Sequence, residues 1–384
     1  MIIEKFTIYK VPPRWVFLKI TTKSGYEGWG EPLVEGRADT VIAAVKEFES
    51  CLIGKRAGDI EDIFQMLYRG GFYRGGPVLM SAISGIEQAL WDIKGKALGV
   101  PVYELLGGRV RDKMRVYTWI GGDTPSEVIK GASQRLEQGY NAIKMNGCGK
   151  MDWLATIRDI NLVKDQLKEL RAEFGDKLDI GIDFHGRVHK PVLRRLVAEM
   201  EPYYPMFFEE PVLPQHNEIL KSLSQYTSIP IATGERMYTR WDFKQILTEG
   251  SVDIIQPDLS HAGGLWETRK IAAMAEAYDV AVALHCPLGP IAFSAALQFD
   301  FSTPNAVIQE SSLGIHYNLD GGCDLLDYVT NKEDYSIFNG FISCNDKPGL
   351  GVVVDEYIVK EMAKQGHDWH NPVWRTEDGT IAEW

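Results

Sequence analysis

The sequence predicts an α/β protein: a modified (β/α)8-type TIM barrel, with an α+β capping domain formed from the N-terminal region and the C-terminal tail. Three observations predict it. Between residues 115 and 310, eight strand-like apolar runs alternate with helical segments. Six of the runs end in polar groups, Asp183, Glu209, Glu235, Asp258, His285 and Glu310, at successive gaps of 26, 26, 23, 27 and 25 residues. Strand, loop and crossover helix together consume about that much chain. Neither flank keeps this beat, so the division expected is 1–114 for the N-terminal α+β cap, 115–312 for the catalytic barrel and 313–384 for a segment returning to the cap.

Taken in order, residues 2–10 and 15–22 alternate or are rich in β-branched residues, and the Lys23-Ser24-Gly25 turn leads into Gly28-Trp29-Gly30. This reads as an antiparallel start. The Pro12-Pro13-Arg14-Trp15 turn and the Glu31–Arg37 loop carry charge and are candidates for a lid, with Arg14 and Trp15 as substrate contacts. Helical spacing runs from Asp39 to about Leu67, and again over 79–98, where small and apolar residues predict a buried helix packing one unit on the other. Between them, Tyr68–Pro77 holds two arginines and three aromatics among its glycines. Neither Walker nor dinucleotide spacing is present, which leaves a loop folding over a small polar ligand, with Arg74 as its contact, or a plain surface loop. The barrel strands fall near 115–120, 142–146, 178–184, 206–210, 229–234, 252–257, 280–285 and 305–310, with helices at 126–137, 155–174, 190–201, 240–249 and 264–278.

Composition narrows the partners. With 384 residues, the chain exceeds what one hydrophobic core usually serves. A net charge of −12 disfavours nucleic acid and anionic membrane surfaces, and no apolar run approaches the ~18 residues of a membrane helix. The N-terminal stretch alternates like a strand and lacks the apolar centre of a signal peptide. Five scattered cysteines without a CxxC pair point to a reducing cytoplasm and away from a zinc–thiolate site.

Polar groups recurring at one end of parallel strands mark the face on which barrels build active sites. Asp183, Glu209 and Glu235 end strands three, four and five, which are neighbours in a barrel. Converging carboxylates repel one another unless a cation lies between them, and oxygen-only ligands suit Mg²⁺. Glu210 follows Glu209 directly and should face the other way. His185 lies two residues beyond Asp183, on the same strand face, and His285 ends strand seven, on the opposite side of the ring. Asp258 and Glu310 end the strands flanking His285, and a neighbouring carboxylate would orient its ring and raise its basicity. Lys144 and Asn146 share a face of strand two, as charge and hydrogen-bond partners for a substrate. The remaining histidines need no role, although His261 and His316 lie close to the mouth.

These residues resemble the enolase superfamily, mandelate racemase subgroup, along the whole chain. The resemblance rests on Gly28-Trp29-Gly30-Glu31, Trp91-Asp92-Ile93-Lys94-Gly95, Asp183, Glu209-Glu210-Pro211, Gly234-Glu235-Arg236, and Gln256-Pro257-Asp258 followed by His285. Longer strings, Asp183–Arg187, His285–Pro290 and Gly314–Asn318, are similar to the sugar-acid dehydratases of that subgroup. The resemblance implies an α+β cap over a modified barrel, Mg²⁺ on Asp183, Glu209 and Glu235, and abstraction of the proton next to a carboxylate. Racemases of the group carry Lys-x-Lys on strand two and use the second lysine as a base. Here the motif reads Lys144-Met145-Asn146, so elimination is expected instead.

The expected chemistry is removal of the C2 proton by His285, held by Asp258, and proton donation to the departing 3-hydroxyl by a protonated His185. Glu310 is expected to bond the intermediate, which ends as a 2-keto-3-deoxy acid. Rival readings are a dehydratase or epimerase of another aldonic or aldaric acid, and a catalytically silent sugar-acid binding protein. The intact ligand and base set argues against silence. A zinc hydrolase is disfavoured because no histidine pair has ligand spacing. The family resemblance also implies a homo-oligomer.

Overall fold

The computed structural model describes all 384 residues. Three strands, β1 (Ile3–Val11), β2 (Trp15–Thr22) and β3 (Glu27–Gly30), form an antiparallel sheet in that order. The helical stretch expected from Asp39 to Leu67 is two helices, Ala38–Leu52 and Ile60–Arg69. Gly54, at φ 86°, breaks it, and the intervening turn bridges back to the sheet edge at Ile2 and Arg56. Helix Pro77–Leu98 packs against β3 and is buried along most of its length, as expected of the connecting helix.

All eight predicted barrel strands are present. They are β4 (Lys113–Ile120), β5 (Ala142–Asn146), β6 (Asp179–Asp183), β7 (Phe207–Glu209), β8 (Ile231–Thr233), β9 (Ile254–Ile255), β10 (Ala281–Val282) and β11 (Gln309–Ser311). Consecutive strands pair in parallel from β4 to β10. The ring closes through β11 on β4 and a parallel bridge from Val282 to Ala306. The helices between them start where the sequence punctuates. Thr124 with Glu127, and Thr156 with Asp159, make reciprocal capping boxes for helices Pro125–Glu137 and Ile157–Phe174.

The barrel interior is a layer of Tyr117, Ala142, Phe207, Ala232, Ala283 and Ile308. Gly181 keeps room for the Phe207 ring, which a Cβ there would meet at 2.8 Å. Two residues further along the same strands stand Lys144, Asp183, Glu209, His285 and Glu310. Because side chains alternate with period two, the polar set forms the next layer up, resting on an apolar floor.

The alternation is least regular after β7, where a short 3-10 segment and the four-residue helix Leu220–Leu223 stand in for a full helix, and after β11, where the helix spans only His316–Asp320. The chain then forms the hairpin β12 (Ile337–Phe338) and β13 (Phe341–Ser343), and β13 pairs antiparallel with β4. Helix Glu356–Ala363 packs on β1, with Glu356 accepting from Lys19 Nζ at 2.7 Å. The last segment therefore adds to both the barrel and the N-terminal sheet. No helix is long and apolar enough to cross a membrane.

Candidate active site

A cavity of about 420 Å³ opens at the C-terminal ends of the barrel strands. It is lined by Arg14, Lys144, Asn146, Asp183, His185, Glu235, His285 and Glu310, among others. Carboxylate oxygens of Asp183, Glu209 and Glu235 lie within 4.8 Å of one another. Lys144 reaches into this cluster, with Nζ 3.3 Å from Asp183, 2.6 Å from Glu209 and 2.7 Å from Glu310. Glu209 also accepts from Gln256 Nε2 at 2.7 Å.

One ammonium does not neutralise so many acids. Burial raises the Glu209 carboxyl well above its usual range, and the neighbouring Asp183 adds to this. Burial likewise lifts Glu235, to about 7. Burial opposes charge on Asp183 too, but a protonated His185, together with Lys144, outweighs it and keeps the Asp183 pKa below its usual value. Asp183 Oδ2 is buried with no hydrogen bond, the Lys144 ammonium lying 3.3 Å away. Three converging carboxylates, two of which resist ionisation, fit the oxygen donor set of a hard divalent cation.

Glu210 turns away from the cluster, as alternation requires. It accepts from Thr233 Oγ1 (2.5 Å), Gly234 N–H (3.0 Å) and Arg236 (2.6 Å). These bonds fix the loop that carries Glu235. Neither Glu210 nor His185 keeps strand geometry, however, since their φ angles are 43° and 52°. His185 therefore reaches the cavity through a left-handed turn beyond the end of β6, and not by the strand alternation expected of it. The turn is held by the His185 N–H donating to Asp183 Oδ1 at 2.8 Å, while the ring Nδ1 lies 3.2 Å from the same oxygen.

His285 Nδ1 donates to Asp258 Oδ2 at 2.8 Å, and its Nε2 lies 3.3 Å from Glu235. Asp258 accepts the Ser260 N–H on its other oxygen at 2.7 Å. Glu310 accepts the Cys286 N–H at 2.8 Å, so it anchors the chain just after His285 as well as pairing with Lys144. Burial opposes charge on His285, but Glu235, Asp258 and Glu310 together raise its pKa to about 10. Burial lowers His185 to about 3; Asp183 opposes this, while Arg187, Lys144 and Arg236 reinforce it. In this charge state the proton sits on His285. Burial is thus the main opponent of the protonated His185 expected from the sequence, and the three neighbouring cations add to it.

Two expected substrate contacts lie elsewhere. Trp15 is fully buried, stacked on Phe17 at 6.2 Å and edge-on to Tyr328 at 5.8 Å, because Trp15 and Phe17 share the inner face of β2. Arg74 is exposed, bonds Gly71 O and does not line the cavity. Its loop carries Phe72 and Tyr73 outward, at 91% and 86% exposure. Arg14, by contrast, is buried at the cavity wall, with Nη1 2.5 Å from Glu35 and Nη2 donating to Pro287 O at 3.0 Å. Asn146 also faces the cavity, with its Oδ1 unpartnered.

Residues that strand spacing did not nominate complete the wall. His261 lines it, 3.6 Å from Asp258 and 2.8 Å from Ser81 Oγ. Trp119, Arg187, Tyr317, Asn371 and Trp384 line it as well. His316 stacks behind Trp119 at 4.9 Å. Arg187 sits within the Asp183–Arg187 string and was legible as a motif member; Asn371 and Trp384 had no periodic signal.

Cap side chains also hold the loops behind the site. Glu31 accepts the N–H groups of Gly289 (2.6 Å) and Ala292 (3.0 Å), at the start of helix Pro290–Ser302. Glu87 accepts from Leu265 (2.8 Å) and Trp266 (2.9 Å), at the start of helix Leu265–Glu276. A carboxylate at a helix N-terminus satisfies orphan donors and complements the dipole.

Comparison with known proteins agrees with this architecture. Residues 10–107 match the mandelate racemase / muconate lactonizing enzyme N-terminal domain, and 127–358 match the enolase C-terminal domain-like family. The chain is 56% identical, over 384 residues and the whole of both chains, to the D-galactonate dehydratases of Pectobacterium atrosepticum and Ralstonia pickettii. Among solved structures, an enolase of Agrobacterium radiobacter with bound sodium and L-malate superposes with a TM-score of 0.90 at 30% identity over all of both chains. A mandelate racemase/muconate lactonizing enzyme-like protein of Roseovarius gives 0.90 at 30% over 99% of each. At such identity to full-length dehydratases, the protein is a hydro-lyase. The cap sheet, the eight-stranded ring and both family matches together make this chain a member of the enolase superfamily, in its mandelate racemase / muconate lactonizing enzyme group.

Proposed function

We propose that the protein dehydrates D-galactonate to 2-dehydro-3-deoxy-D-galactonate, using Mg²⁺ on Asp183, Glu209 and Glu235. The observation that carries this reading is the pairing, in one cavity, of a carboxylate-backed His285 with a second imidazole, His185, while Asn146 stands where a racemase has its lysine. The two D-galactonate dehydratases at 56% identity support the choice of acid.

Asp183, Glu209 and Glu235 would hold the cation, which would supply positive charge for the substrate carboxylate and offset the Glu235 charge that favours a proton on His285. His285 Nε2, with Nδ1 fixed by Asp258, takes the C2 proton, and the C2 electron pair moves into the carboxylate to give an ene-diolate. A bound substrate anion, with Asp183, favours the protonated form of His185 against burial and the field of Arg187, Lys144 and Arg236. Collapse of the ene-diolate breaks the C3–O bond; His185 protonates the departing hydroxyl, which leaves as water, and the enol tautomerises to the keto acid. Lys144 and Asn146 supply charge and a hydrogen bond beside the substrate, and Arg14 braces the outer wall. All five cysteines are free thiols, which supports a reducing cytoplasm, and the outward aromatics Phe72 and Tyr73 suit burial in a homo-oligomer.

The test separates the two histidines. With D-galactonate in D₂O, His285→Asn should stop C2 hydrogen exchange and dehydration together. His185→Asn should stop dehydration while exchange continues. Exchange that survives loss of His285 rules it out as the base.

A further inference from the structure

After helix Glu356–Ala363 the chain forms no further helix or strand; its one backbone pairing is the bridge between Arg375 and Ile381. It is nevertheless tied down at several points, two of them on arginines of the cavity wall. The Trp369 ring packs 5.4 Å from the Arg14 guanidinium, and the Trp374 ring 4.8 Å from that of Arg187. Lys150 Nζ donates to Arg375 O at 2.5 Å. Gly36 admits the Asn371 amide so closely that a Cβ there would lie 2.6 Å from its Oδ1. Trp384 returns to Trp369, with centroids 6.2 Å apart.

Both arginines so engaged are themselves wall residues, and two side chains of the segment, Asn371 and Trp384, enter the wall directly. Depth sorts the cavity. Lys144, Asp183 and Glu310 are almost wholly buried at its floor, whereas Asn371 is exposed and Trp384 half-buried at its rim. A sugar acid whose carboxylate sits on the floor points its far hydroxyls toward the rim. An amide offers both a donor and an acceptor to hydroxyls, and an indole face packs on the C–H side of a polyol while limiting its length.

We propose that residues 369–384 select the substrate by chain length, with Asn371 and Trp384 contacting the end of the acid remote from its carboxylate. This rests on the sugar-acid reading above. Arg14 and Arg187 serve as posts on which Trp369 and Trp374 seat the segment, so the rim is fixed from inside the cavity.

The test uses the full chain with Trp384→Ala, Trp384→Phe and Asn371→Ala, and compares D-galactonate with five- and four-carbon aldonates, both in turnover and in calorimetric binding. Absence of turnover of every acid by the unaltered protein would overturn the functional reading; the length preference in binding still decides the present one. The expected result is about a 10-fold weakening for D-galactonate in Trp384→Ala, carried mainly in KM and Kd, with several-fold less effect on the four-carbon acid, and substantial recovery in Trp384→Phe. Asn371→Ala should move the same ratio in the same direction. Equal losses at all lengths, or no change at any length, would overturn the proposal.

Discussion

Replacing Asp258 by Asn changes one heavy atom and tests how His285 is held. Asn retains an oxygen for the Ser260 N–H, which Asp258 Oδ1 accepts at 2.7 Å, so the loop should keep its shape. The amide nitrogen then falls where Oδ2 stood, 2.8 Å from His285 Nδ1. It donates where the carboxylate accepted, which moves the ring proton to Nε2, the nitrogen needed to receive the substrate proton. The loss of a charge-assisted bond to an imidazolium is worth about 1.5–3 kcal/mol, or about 10- to 150-fold in rate, and the wrong tautomer adds to it. We expect kcat for D-galactonate dehydration to fall at least about 10-fold, with KM changed less than about 3-fold and C2 exchange falling in parallel. Keto-acid formation and NMR of the C2 hydrogen measure both, and a thermal melt checks folding. Activity within about 2-fold of the unaltered protein would refute the assignment of Asp258 as the group that orients the base.

Two further outcomes are expected. Glu87→Ala orphans the Leu265 and Trp266 N–H groups and the Trp91 indole, and should destabilise the protein by about 3 kcal/mol, lowering Tm by about 4 °C in calorimetry; Glu87→Gln should cost less. Dialysis against a chelator should abolish dehydration, and Mg²⁺ should restore it. At about 100 times its Kd, Mg²⁺ should also stabilise the protein by about 2.7 kcal/mol, an effect that Glu209→Gln weakens.

Much of the fold was legible because closing a barrel imposes a ruler on the chain. Each strand contributes an interior residue and, two positions on, a rim residue, so a beat near 25 residues carried both the topology and the polar layer. The same logic placed Glu210 on the far side from Glu209. It failed where local geometry overrides alternation. Arg14 and Trp15 are adjacent, yet Arg14 lies in the turn and meets the cavity while Trp15 begins β2 and enters the cap core. His185 arrives by a left-handed turn that no pattern of apolar residues announces. Arg74 looked functional by composition, but its loop projects into solvent. The tail was silent because it has no period, although three of the ten tryptophans fall in its last sixteen residues.

Helix Pro77–Leu98 has a dynamic consequence. Within two turns, Glu87 caps one barrel helix, Gln88 bonds Ser260 and the Glu31 N–H, and Asp92 takes the N–H groups of Trp29 and Leu350. Of these, the bonds of Glu87 and Gln88 cross to the barrel, and sliding the N-terminal unit would strip them, together with those of Glu31 to Gly289 and Ala292, on the loops that follow Asp258 and His285. The two units are thus keyed together like a dovetail, so rigid-body rocking between them carries the cost of every buried bond across the joint.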